Sequence, residues 1–232
     1  MQESRRKDIR RTAAVVRENC KVSRYGIIDL FKECARLGYK LIRYPLGENA
    51  DLGFTIKKDQ DIVIFTNSSI RLSREIFTLA HELGHAVLHM EADSSFIDDS
   101  ITIADRSTDE REQEANYFAA CLLMPDDEVD RFFDLELSDI EKNGLTAIDI
   151  AKIMSEFNVS FDMALNRLDS LGKITGNQKA LLDCQRNKTR VGNLLKSAGG
   201  NARLNQASEE IDIPFELSLI HISEPTRRTP IS

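Results

Sequence analysis

His81-Glu82-Leu83-Gly84-His85-Ala86-Val87-Leu88-His89 holds three of the chain's four histidines, and its first five residues spell H-E-x-x-H. Residues four apart on a helix share a face, with Cβ atoms roughly 5–6 Å apart. Two imidazoles at that spacing can hold one metal ion, and the glutamate between them can reach a water beside it. The stretch therefore points to a metal-assisted hydrolase. The same five residues also arise by chance on amphipathic helices, so a second motif is needed before chemistry can be assigned.

Catalytic zinc takes three protein ligands and keeps an open position. His81 and His85 supply two. His89 is badly placed as the third, because eight residues of helix carry it about 12 Å along the axis from His81. The metzincin pattern, a glycine turn followed by a third histidine, does not follow His85. His89 reads instead as a support for the ligands or as surface. That leaves a carboxylate from Asp109-Glu110-Arg111-Glu112-Gln113-Glu114-Ala115-Asn116, where a helix packed on the motif helix could deliver Glu112 or Glu114. Spacing alone does not choose between them.

Working outward, Asn67 to Arg71 leads into the motif helix, whose buried stripe is Ile76, Leu79, Ala80, Leu83 and Val87. Upstream, Arg5 to Cys20 reads as a helix and Tyr25 to Leu37 as another, stopped by Gly38. Tyr39 to Tyr44, Gly53 to Ile56 and Asp61 to Phe65 are short β-rich segments broken by Pro45, Gly47, Asn49 and a Lys57-Lys58-Asp59 turn. They predict a small antiparallel sheet, whose edge could pair with an extended peptide. Downstream, Glu91 to Arg106 reads as a loop. Ser107 and Glu110 form a capping-box pattern that opens a helix through Phe118, Ala119 and Leu122, closed by Pro125. Met124 and Phe118 are expected in the core, and the acidic stretch Asp126 to Glu141 reads as a solvated helix face. Thr146 and Ser160 are candidate N-caps of two helices joined by an Asn158-Val159 turn. Gln178 to Glu216 is weakly patterned.

The bulk numbers narrow the class. A chain of 232 residues, 41% hydrophobic and 30% charged, can bury a sizeable core. A net charge of −7 argues against nucleic-acid binding as the main activity. No apolar run approaches the ~18 residues of a membrane span. The basic start with Arg5, Arg6, Lys7, Arg10 and Arg11 lacks the apolar core of a secretory signal. Cys20, Cys34, Cys121 and Cys184 form no CxxC pair, so reduced thiols in the cytoplasm are expected, and no second zinc site.

Ile76-Phe77-Thr78-Leu79-Ala80-His81-Glu82-Leu83-Gly84-His85, followed by Glu112-Gln113-Glu114-Ala115-Asn116-Tyr117-Phe118-Ala119-Ala120-Cys121-Leu122-Leu123-Met124-Pro125, resembles the ImmA/IrrE metallopeptidases. Phe157-Asn158-Val159-Ser160 and Asn166-Arg167-Leu168-Asp169-Ser170-Leu171-Gly172 are similar to that family's usual ending. The resemblance covers roughly Arg10 to Ile174. It implies Zn²⁺ as cofactor, with His81, His85 and Glu112 as ligands and Glu82 as the general base. Glu114 stays in reserve, and His89 and Tyr117 are candidates for stabilising the oxyanion. The implied fold class is α+β: a mainly helical, zincin-like domain with the small sheet, followed by a helix-turn-helix-like pair.

The expected organisation is an N-terminal helix over 1–24, the metallopeptidase domain over 25–135, and the helix-turn-helix-like subdomain over 136–176. A weakly patterned helical or disordered segment follows over 177–216. The remainder, 217–232, is similar to the in-frame translation of a sequencing-library adapter and is expected to be read-through rather than a natural tail, which removes His221 from the ligand candidates.

Relatives are cytoplasmic bacterial endopeptidases that cut a helix-turn-helix repressor, so the resemblance implies such a repressor as protein substrate. It favours the short, mobile-element type over the longer radiation-response relatives, which add a C-terminal sensory domain. Two other classes compete: a DNA-binding or protein-binding regulator whose zinc site is not proteolytic, and the toxin of a toxin–antitoxin pair. Against DNA reading stands the charge count of the second helix of the pair, one arginine, Arg167, against two aspartates, Asp162 and Asp169, between Ser160 and Leu171.

Overall fold

The computed structural model describes residues 1–58, 60–90, 110–137 and 144–214. The expected loop over Glu91 to Arg106, the Ser107 half of the capping box, Asp59 of the predicted turn, the end of the acidic stretch, and Leu217 to Ser232 with His221 lie outside the described residues.

In chain order the elements begin with α1 (Glu3–Glu18), α2 (Leu30–Arg36), β1 (Lys40–Tyr44), β2 (Gly53–Lys58) and β3 (Asp61–Asn67). Next come α3 (Leu72–His89), α4 (Glu110–Leu123) and α5 (Asp126–Glu136). The last are α6 (Ala147–Phe157), α7 (Phe161–Ser170), α8 (Gly176–Lys188), α9 (Val191–Ser197) and a 3₁₀ turn over Ala202–Asn205. The fold is the expected mainly helical α+β class.

The sheet differs from expectation. Its order is β1-β3-β2, with β2 antiparallel to β3 but β1 parallel to it, so the sheet is mixed rather than antiparallel. Alternating apolar residues mark a strand without saying which neighbour it takes. The side chain of Asn67, at the end of β3, decides the route. It accepts from Leu46 N at 3.2 Å and donates to Gly47 O at 2.8 Å and Asp51 O at 3.2 Å. The β1–β2 connection is thereby held against the end of β3, and β2 returns on the far side of β3 from β1.

The start of α2 also shifts, from the expected Tyr25 to Leu30. Tyr25 sits in a tight turn where Ser23 N donates to Gly26 O at 2.7 Å, and Asp29 caps the helix by accepting from Lys32 N. The Tyr25 ring is buried against Phe132 and Phe157, at centroid distances of 5.1 and 6.1 Å. Its apolar spacing serves long-range packing rather than a helix face.

α3 is the axis of the molecule. Its stripe of Leu79, Ala80 and Leu83 has no exposed surface, and Ile76 is also buried. Each fully buried leucine contributes about 1.5–3 kcal/mol. One side of α3 meets β2 and β3, the other runs along α4, and α1 covers the flank of α4. Gly84 permits the close crossing of α3 and α4: a Cβ there would lie 3.1 Å from Ala115 Cα and 3.1 Å from Phe118 Cδ1.

The later helices carry the predicted caps. Thr146 and Asp149 form a reciprocal capping box on α6, Asn158 takes φ 57° in the turn, and Ser160 accepts from Met163 N at the start of α7. A further box, Thr175 with Gln178, opens α8. No described helix is long and apolar enough to cross a membrane.

Candidate metal centre

His81 and His85 project from α3 on consecutive turns, and Glu112 projects from the first turn of α4. One ligand atom from each lies within 4.8 Å of the others. His81 Nε2 and His85 Nε2 are 3.0 Å apart, and Glu112 Oε2 and Oε1 stand 3.2 Å from the first and 3.2 Å from the second. A tetrahedral site with metal–nitrogen bonds of about 2.0–2.1 Å has donor–donor edges of about 3.3 Å. The separations here are close to that value, with the carboxylate meeting one histidine through each of its oxygens. Two imidazole nitrogens and a carboxylate oxygen are also a donor set that suits a divalent metal of borderline softness.

Asn116 of α4 contacts the outer nitrogen of His81. Its Oδ1 lies 3.0 Å from His81 Nδ1. That contact suits a proton on Nδ1 and leaves the Nε2 lone pair directed at His85 and Glu112. Lone pairs and a carboxylate aimed at one point repel each other unless a cation lies between them.

Glu82 is buried beside this cluster. Thr55 of β2 reaches it from the sheet, with Oγ1 2.9 Å from Glu82 Oε2 and 3.1 Å from the Glu82 carbonyl. Gly53 permits that approach, since a Cβ there would meet Thr78 Cγ2 at 2.5 Å and Glu82 Cγ at 3.4 Å. The strand thus packs directly on the helix that carries the acid.

The reserve candidates go elsewhere. Glu114 points from α4 toward α1, where Arg5 grips both its oxygens at 2.7 and 2.5 Å. The Arg5 hydrogen bonds hold its carboxyl below the usual range, against the opposing effect of burial. His89 joins that pair through Nε2, 3.2 Å from Glu114 Oε2, with its ring centroid 5.4 Å from that of His85. The Tyr117 hydroxyl bonds the Cys121 thiol, one turn further from Glu112, and burial followed by that thiol pushes its pKa up. The structure therefore unites His81, His85 and Glu112, sets Glu82 beside them, and leaves Glu114, His89 and Tyr117 outside.

Sequence reasoning missed Asn116 and Thr55 as part of the site. Asn116 lies four residues after Glu112 and so shares its helix face, a signal that was readable. Thr55 carried none, because its role depends on where the sheet packs.

A two-histidine helix with an acid beside it and a third donor from the next helix is the arrangement of single-metal peptidases. Residues 34–169 match the IrrE N-terminal-like domain of the peptidase M78 family, and the chain belongs to that family of metallopeptidases. Over 94 residues it is 39% identical to the uncharacterized immunity region protein 2 of Bacillus phage phi105, covering 39% of this chain and 56% of that relative. The matched stretch is little more than half of the relative's length.

Proposed function

We propose that the chain is a zinc-dependent endopeptidase acting on a protein substrate of the helix-turn-helix repressor class. The observation that carries the reading is the convergence of His81, His85 and Glu112 with Glu82 buried alongside. When bound, Zn²⁺ supplies Lewis acidity toward the scissile carbonyl and lowers the pKa of water from 15.7 toward ~7.

The protein's own groups do the rest. His81, oriented by Asn116, and His85 with Glu112 hold the ion. Glu82, hydrogen-bonded by Thr55, accepts the proton of the attacking water and returns it to the leaving amine. β2 is an edge strand, since its described partner is β3 alone, and it passes beside Glu82. An extended substrate pairing with that edge would lay a peptide bond across the cluster.

Repressor cleavage is supported by the family resemblance and by the phage immunity-region relative, which favours the mobile-element type. A cytoplasmic location accords with the four free cysteines. The DNA-reading alternative is weakened by Arg167, which is buried, donates to Met124 O at 2.9 Å and pairs with Asp126. That arginine braces α7 on the end of α4 and is not presented to phosphates.

Glu82→Gln should retain stoichiometric zinc by elemental analysis yet lose cleavage of a helix-turn-helix repressor encoded beside the gene. His81→Ala should lose both. Undiminished cleavage by zinc-loaded Glu82→Gln would refute the assignment.

A further inference from the structure

One large cleft, about 1490 Å³, lies next to the metal centre: its lining includes Asn116 and Phe77, neighbours of His81, but not His81, Glu82, His85 or Glu112 themselves. Its near end is lined by Asn116 and by Phe77, whose ring centroid is 6.5 Å from that of His81. Arg71 and Arg74 line it from the start of α3, Arg6 from α1, and Arg190 from the link between α8 and α9.

The charge of this cleft opposes that of the chain. The whole sequence carries −7, yet the lining holds six arginines against two carboxylates, Glu48 and Asp162. Two of the arginines are neutralised, Arg167 by Asp126 and Arg186 by Asp162 and Asp183. Arg6, Arg71, Arg74 and Arg190 are exposed, and none forms an ion pair with a described residue. Four unneutralised guanidinium groups around one concavity repel one another, a cost that an anionic occupant relieves.

We infer that this cleft is an exosite for an acidic segment of the protein substrate, lying beyond the residues that flank the cut bond. The inference rests on the peptidase reading and names the chemistry of what that site takes. A nucleic acid fits less well. Single strands are held largely by stacking on open aromatic rings. Here Tyr117 is covered by the Arg6 guanidinium at 5.6 Å and Phe161 is buried beneath Arg186 at 5.4 Å, which leaves the half-buried Phe77 as a single ring for stacking among the described lining residues. A long polyanion also meets the acidic remainder of the molecule. A short carboxylate-rich segment feels chiefly the arginines within a Debye length of about 8 Å.

The test is anisotropy of a fluorescein-labelled, glutamate-rich peptide titrated with the full chain. A lysine-rich twin peptide and a single-stranded oligonucleotide serve as comparison probes. The glutamate-rich peptide is expected to bind in a salt-sensitive way and to lose at least about tenfold in affinity on Arg74→Glu with Arg190→Glu. Arg71→Glu, at the start of α3, gives a second reading should the double variant fail to melt like the parent. No binding by the parent, equal binding by the charge-reversed variants, or tighter binding of the oligonucleotide overturns the inference.

Binding does not depend on turnover, so the two readings fail separately. A zinc-loaded protein that binds the acidic peptide but cleaves no repressor counts against the peptidase alone. Undiminished repressor cleavage by the charge-reversed variants counts against the exosite alone.

Discussion

At the residue scale, Asn116 shows how much of a metal site lies behind its ligands. Its amide oxygen, 3.0 Å from His81 Nδ1, suits the tautomer that offers Nε2 to the cluster. Loss of such an outer partner typically weakens metal affinity about 10–100-fold. Asn116→Ala is therefore expected to lower zinc affinity within that range in a chelator competition, with helicity unchanged by circular dichroism. An unaltered affinity would remove Asn116 from the site. Glu112 and Glu114 make the complementary point. Two residues apart, they project about 200° apart around the helix axis, so they cannot both reach the His81–His85 pair, and Glu114 meets α3 only at its last residue, His89. The sequence identifies both as candidates. The choice needs the rotation of α4, which Ala115 sets by resting on Gly84 while Arg5 draws Glu114 toward α1.

At the element scale, the crossing of α3 and α4 fixes the distance between the histidines and Glu112. Gly84 sits at that crossing, one turn past His81 and next to His85. Gly84→Val would press into Ala115 and Phe118, and overpacking of this kind costs about 1–3 kcal/mol. The expected outcome is a lower melting temperature together with weaker zinc binding, because separating the helices withdraws Glu112. A lower melting temperature with unchanged zinc affinity would show that Glu112 is not positioned by this contact. The elements themselves were legible where local signals were strong. α3 announced itself by its apolar stripe, α6 and α7 by their caps, and the helix C-terminal to Asp29 by Gly38, which takes φ 96°. The start of α2 and the order of the strands were not, because Tyr25 and Asn67 act on partners distant in sequence.

At the scale of the whole molecule, Glu75 ties the layers together. It is completely buried on α3 and accepts from Arg43 of β1 at 2.9 Å twice, from Thr66 of β3 at 3.1 Å and from Ser208 at 2.9 Å. Removing one member of a buried pair costs about 3–5 kcal/mol, because the other is left charged and unmatched. Arg43→Met is accordingly expected to destabilise the protein by that amount in urea unfolding. A cost below ~1 kcal/mol would show that the pair contributes like a surface bridge. The segment that supplies Ser208 was the least readable part of the chain. It is held by main-chain bonds, such as Leu72 N to Gln206 O at 2.8 Å and the reciprocal pair between Arg43 and Asp212, and not by an apolar period.

The sequence by itself determined the motif helix, the pair of imidazoles, the acid between them and the short list of third donors, since each follows from helical periodicity and from the chemistry of side-chain types. The resemblance, not spacing, pointed to Glu112, and the tertiary structure brings it to the two histidines; it alone shows that Asn116 and Thr55 contact the site and that scattered arginines line one concavity in an acidic chain. Those outcomes depend on how helices rotate and how a sheet is threaded. Both are settled by packing between segments far apart in the chain, which no local pattern encodes.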